Sequence, residues 1–89
     1  MNGKVSVQLQ FLGSFRDLAG KKHDIVEVDA DVTKALLEIE QMLGFHCSNR
    51  ISETEGIFIN GRHVCFFIEQ NKPLKDGDTI TFLHLVGGG

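Results

Sequence analysis

The chain has 89 residues, enough for one domain with a modest core, since chains divide into separate domains only well above this size. Nine basic against 12 acidic side chains give a formal charge of −3 with no basic stripe, which argues against a nucleic-acid partner. Apolar residues make up 42%, a globular share, and no apolar run approaches the roughly 18 residues of a membrane span.

The opening Met1-Asn2-Gly3-Lys4 runs straight into alternating residues without the apolar segment of a secretion signal, so a cytoplasmic protein is expected. Neither a membrane nor a nucleic acid is expected among its partners. Two cysteines, Cys47 and Cys65, do not make a disulfide scaffold in that compartment. Cys65 falls in an apolar stretch that reads as strand and is expected as a small buried hydrophobe, whereas Cys47, in an expected loop beside His46, reads as a free thiol. His46, Cys47, His63 and Cys65 lack the paired spacing of structural zinc sites, so no metal is expected. The four histidines form no nucleophile, base and orienter pattern, and the chain shows no catalytic machinery of its own.

Residues 4–11 alternate, with Val5, Val7, Leu9 and Phe11 on one side and Lys4, Ser6, Gln8 and Gln10 on the other, the pattern of a half-buried strand. Gly13 and Gly20 punctuate the next stretch, where Phe15, Leu18 and Ala19 stand at near-helical spacing, and a short helical turn or structured loop is expected. Ile25, Val26 and Val28 give residues 22–28 the β-branched content of a second strand, joined to the first by a long connection. Asp31 offers an N-cap. Val32, Ala35, Leu36, Ile39, Met42 and Leu43 then form one apolar helical stripe, and Gly44 stands just past its end. Glu38, Glu40 and Gln41 are expected in water, which makes the stripe core rather than a cofactor-binding surface. Residues 45–55, with Ser48, Asn49 and Arg50 near the middle, read as loop.

Residues 56–66 read as two short strands joined at Asn60-Gly61, the pair best suited to the two positive-φ positions of a type I′ hairpin. Pro73 and Leu74 lead into Lys75-Asp76-Gly77-Asp78, a turn with Gly77 at its permissive position. Residues 79–85 make the last strand. Ile80 and Phe82 alternate with Thr79 and Thr81, yet Leu83 and Leu85 put apolar groups on the second face. The order β, β, α, β, β, β predicts an α+β layer of one helix on one sheet, with first and last strands parallel at its centre through the helical crossover.

The chain closes on Val86-Gly87-Gly88-Gly89. Glycines bury nothing and lose the most entropy of any residue on ordering, so the tail is useless as a fold element, and a frayed end or linker has the same composition. As a probe it has a use. Extended, residues 86–89 reach roughly 13 Å, at about 3.3 Å per residue, and carry one reactive group, the Gly89 carboxylate.

Taken together, the hairpin, helix, hairpin, Leu74-Lys75-Asp76-Gly77-Asp78, apolar strand and Gly88-Gly89 end resemble the ubiquitin-like sulfur-carrier family over essentially the whole chain. Phe15-Arg16-Asp17-Leu18-Ala19-Gly20 and the chain length are closest to that family's molybdopterin synthase small subunits, while His84-Leu85-Val86 looks more like its thiamin branch. The resemblance implies a β-grasp fold, a mixed sheet of four to five strands with one main helix packed across it. It implies a single domain over residues 1–85 and a flexible glycine tail over residues 86–89. It also implies that the Gly89 carboxylate is adenylated by an E1-like enzyme using ATP, then converted to a thiocarboxylate by a persulfide sulfur donor. The larger catalytic subunit of molybdopterin synthase would receive the tail, and no cofactor would be bound here. Val86, Gly87 and Gly88 are expected to be gripped through their backbone, and Leu83, Leu85, Phe58 and Phe66 to form a docking patch. Sulfur could equally go to thiamin thiazole, transfer RNA or another metabolite. A ubiquitin-like protein modifier, or an interaction module with an accidental glycine end, would share the sequence pattern.

Overall fold

The computed structural model describes residues 3–44 and 55–84. Strand β1 (Lys4–Gly13) follows the alternation of its sequence, with Val7, Leu9 and Phe11 buried and Gln8 and Gln10 exposed. A short helix α1 (Ser14–Ala19) ends at Gly20 in the left-handed region, φ 74, so the expected helical turn is present. Strand β2 (His23–Asp29) then runs antiparallel to β1, Val7 opposite Val26 and Val5 opposite Val28.

Helix α2 (Val32–Leu43) starts where the Asp31 carboxylate accepts the Lys34 N–H at 3.0 Å, and ends at Gly44 with φ 80. Val32, Ala35, Leu36 and Ile39 are its buried stripe. Met42, expected in that stripe, is 52% exposed, because it lies about a third of a turn from Leu36, at the stripe's margin. Glu38, expected in water, is half-buried. It accepts the Lys4 Nζ at 2.9 Å and the Asp29 N–H at 3.1 Å, joining the helix to the ends of β1 and β2.

The expected loop at residues 45–54, with His46, Cys47, Ser48, Asn49 and Arg50, lies outside the described residues; Glu55 already belongs to β3 (Glu55–Ile59). Asn60 at φ 53 and Gly61 at φ 85 turn the chain into the two-residue β4 (Arg62–His63), as the dipeptide predicts. The second strand of this hairpin is shorter than expected and ends at His63. Val64, Cys65 and Phe66 do not extend the hairpin: they open helix α3 (Val64–Gln70). The His63 Nδ1 accepts the Cys65 N–H at 3.1 Å as a cap, Val64 is buried and Phe67 packs against the core one helical turn later, and Asn71 at φ 53 stops the helix. Cys65 is consequently exposed, not a buried strand residue.

Strand β5 (Thr79–His84) pairs parallel with β1 and antiparallel with β3, giving the sheet order β2-β1-β5-β3-β4. The mixed five-stranded sheet with helices on it is the expected α+β, β-grasp fold, and the central pair is the parallel one that the crossover predicts. The core lies on the helix face of the sheet, where Leu9, Phe11, Ile57, Ile59, Ile80 and Phe82 meet α2 residues. Phe82 is its pivot, stacked on Phe11 at 5.4 Å and tilted against Phe15 at 5.6 Å. Among the described residues no helix is long and apolar enough to cross a membrane.

Candidate functional site

Because side chains alternate along a strand, the register that buries Phe11 and Phe82 turns their neighbours onto the other face, away from the helices. Leu12 stands beside Leu83, and Leu83 beside Gly56, so one rung crosses β1, β5 and β3 near the end of β5. The next rung runs His23, Gln10, Thr81, Phe58, His63 across all five strands. Thr81 Oγ1 donates to Gln10 Oε1 at 3.1 Å within it. Neither rung holds an Asp, Glu, Lys or Arg; acids and bases appear only further along, at Glu27 with Ser6 and Asp29 with Lys4. Leu12 is 39% exposed, and Leu83, Phe58 and His63 are half-buried. This corner of the sheet is therefore apolar, weakly charged and only partly covered.

The opposite end of β5 is locked. Gln8 N–H donates to the Asp78 carbonyl at 2.9 Å, Gly77 N–H to the Ser6 carbonyl at 2.8 Å, and Ser6 N–H to Asp76 Oδ1 at 2.8 Å. Asp78 accepts Asn60 Nδ2 on one carboxylate oxygen and the Lys75 N–H on the other, at 2.9 and 2.8 Å. Gly77, at φ 91, gives the turn an angle that side-chain-bearing residues rarely adopt. Anchored there, β5 runs parallel to β1 and delivers His84 beside Gly13, at the apolar corner.

Of the residues the sequence offers for docking, Leu83 and Phe58 stand on this face, one register step apart. Phe66 does not sit on a neighbouring strand. It lies on α3, with the Arg62 guanidinium 4.4 Å and the Lys72 ammonium 5.9 Å from its ring centre. Leu85, Val86, Gly87, Gly88 and Gly89 lie outside the described residues. Sequence reasoning missed Leu12 and His63. Leu12 carried a readable signal, since Phe11-Leu12 repeats the consecutive apolar pair Phe82-Leu83 and the two pairs become neighbours. His63 had none, because its place depends on a hairpin partner. Among the described residues no three His, Cys, Asp or Glu side chains gather as metal ligands.

Known proteins align with this arrangement along nearly its whole length. A solution structure of small archaeal modifier protein 1 from Methanosarcina acetivorans superposes with TM-score 0.72 at 23% identity, covering 97% of this chain and 98% of that one, a likeness of fold. The Haloferax volcanii HVO 2177 protein gives 0.69 at 28%, over 98% of this chain and 89% of its own. A Pyrococcus furiosus protein described as a candidate molybdopterin converting factor, subunit 1, gives 0.66 at 26%, over 91% and 99%. No curated protein sequence matches the chain significantly. The ThiS family profile, however, matches residues 9–89, from the middle of β1 through the terminal glycines, and with the β-grasp topology around it this places the chain in the ThiS family of ubiquitin-like sulfur carriers.

Proposed function

We propose that this protein carries sulfur on its terminal glycine as the small subunit of molybdopterin synthase. The observation that carries the reading is the parallel pairing of β1 and β5, which brings the backbone of His84, two residues before the tail in sequence, to the apolar corner formed by Leu12, Leu83 and Phe58. A partner that covers this corner has the tail in hand. Residues 86–89 then extend into its active site, where a backbone without side chains is gripped by hydrogen bonds. The Gly89 carboxylate is a poor electrophile until its charge is removed. It attacks the α-phosphorus of ATP on an E1-like enzyme, releasing pyrophosphate; the terminal sulfur of a persulfide then displaces AMP to give an acyl disulfide, and a second thiol attacks the donor's inner sulfur, forming a disulfide with it and releasing the thiocarboxylate. The thiocarboxylate is a soft nucleophile on a tether, as in other group carriers. The Pyrococcus furiosus likeness supports delivery to molybdopterin, where the larger subunit contributes the catalytic side chains.

Incubation with ATP and the E1-like adenylating enzyme of the source organism tests the reading. The intact chain should support ATP–pyrophosphate exchange, and a chain lacking Gly88 and Gly89 should not. Exchange that survives the deletion contradicts the carrier role. Covering a half-exposed leucine contributes about 1 kcal/mol, and inserting a charge there costs more, so Leu83→Asp should weaken binding to that enzyme by at least about tenfold. Unchanged affinity removes the docking corner. A protein modifier passes through the same acyl adenylate, but would leave covalent conjugates on a denaturing gel; their presence would redirect the assignment.

A further inference from the structure

Gly56 sits inside β3 with an ordinary strand conformation, so no turn or positive φ explains it. Glycine in a strand interior weakens the strand and offers nothing to pack. What occupies the space is the Phe58 ring. A Cβ built on Gly56 would lie 2.6 Å from Phe58 Cε1 and 3.2 Å from Cζ, so any side chain there would force the ring to shift. Gly56 is buried, although the register places it on the outer face opposite Leu83. Its cover is the phenyl ring, laid back along the strand from two residues away. On its other flank the ring meets His63 at 5.3 Å and 83°, and His63 is itself held by the Cys65 N–H.

The ring therefore fills the third place in the rung of Leu12, Leu83 and Gly56. Standing upright from its own position, it would instead project from the neighbouring rung beside Thr81. We propose that Gly56 is a positioning residue for partner recognition: by leaving its own place empty it lets the Phe58 ring lean back along β3, with its edge toward Gly56, as an aromatic contact next to Leu83 near the end of β5. This rests on the carrier reading. The surface it creates suits an aliphatic side chain of the E1-like enzyme, because the two rungs hold no formal charge to pair with and an aromatic ring beside leucines offers only apolar contact. The clashing atoms are the far end of one side chain, so an alanine at Gly56 displaces the ring rather than the backbone.

The experiment is a double-mutant cycle in ATP–pyrophosphate exchange with the source organism's E1-like enzyme. Gly56→Ala should raise KM for the carrier about tenfold with kcat within about twofold of wild type, the signature of lost binding rather than altered chemistry. Phe58→Ala should do the same, and the double variant should be no worse than Phe58→Ala alone. An unchanged KM in Gly56→Ala, or losses that add in the double variant, overturns the proposal. The ring's position has its own readout. In wild type the Gly56 Hα resonances should carry a ring-current shift that is lost in Phe58→Leu; Hα shifts that do not depend on Phe58 overturn the ring's placement whatever the kinetics. Absence of exchange by the wild-type chain is a separate result, which overturns the carrier reading and the docking role with it.

Discussion

Asn60 does three jobs at once. It takes the left-handed angle of the turn, its Nδ2 donates to Asp78, and its Oδ1 accepts the Thr79 N–H at 3.0 Å, so the β3–β4 turn is stitched to the start of β5. Asn60→Ala removes both side-chain bonds and leaves a Cβ at φ 53, and should lower stability by about 1–3 kcal/mol, read as a lower urea midpoint at constant m. Asn60→Gly, free of the angle penalty, should lose less. The turn itself was legible in Asn60-Gly61, but the stitch was not, because Asp78 is 18 residues away and nothing local encodes the meeting. Asp24 offers a second residue-scale test. Its carboxyl is held below the ordinary aspartate range, first by the Lys21 ammonium at 2.7 Å and then by the Ile25 N–H. A lowered folded value means that the interaction stabilises above the unfolded pKa, about 3.9, and is lost as pH falls through the folded value. The pair is exposed, so the effect is small. Asp24→Asn should lower Tm slightly at pH 7, and the difference from wild type should shrink as pH falls through the folded pKa.

At the scale of elements, the two main helices differ in how plainly they are written. α2 carries its cap, its stripe and its stop within its own residues, and Asp31→Ala should cost about 1 kcal/mol by freeing the Lys34 N–H. α3 is harder to see. Val64-Cys65-Phe66-Phe67-Ile68 is rich in β-branched and aromatic residues, a strand composition, and follows a strong hairpin signal. Tertiary packing decides otherwise: Val64 and Phe67 meet the core on one helical side, and the His63 imidazole caps the turn. The distinction is measurable at Cys65. With Cys47 replaced by serine, the exposed Cys65 thiol should react with a disulfide reagent in the native protein nearly as fast as in urea; strong native protection would contradict α3 as described.

At the scale of the whole molecule, the sheet order gives the last strand two unlike ends. β1 is the first strand and β5 the last, yet they lie side by side and parallel at the centre, so the locked Asp76-Gly77-Asp78 turn is at one end of β5 and the apolar corner at the other. That topology was readable from the alternation of β1, the helix crossover and the final strand. The lateral meeting of Leu12, Leu83 and Gly56 was not, because it depends on inter-strand register. On the proposed carrier function, covering that corner and receiving the tail would be one event.

The most direct test is the intact mass of the protein isolated from its native cell under non-reducing conditions, with synthase turnover blocked so that the charged form accumulates. A species heavier by about 16 Da, with the change mapped to Gly89 in the C-terminal peptide, is the replacement of one carboxylate oxygen by sulfur that the account predicts. A mature chain with no such species, or one that continues beyond Gly89, would contradict it.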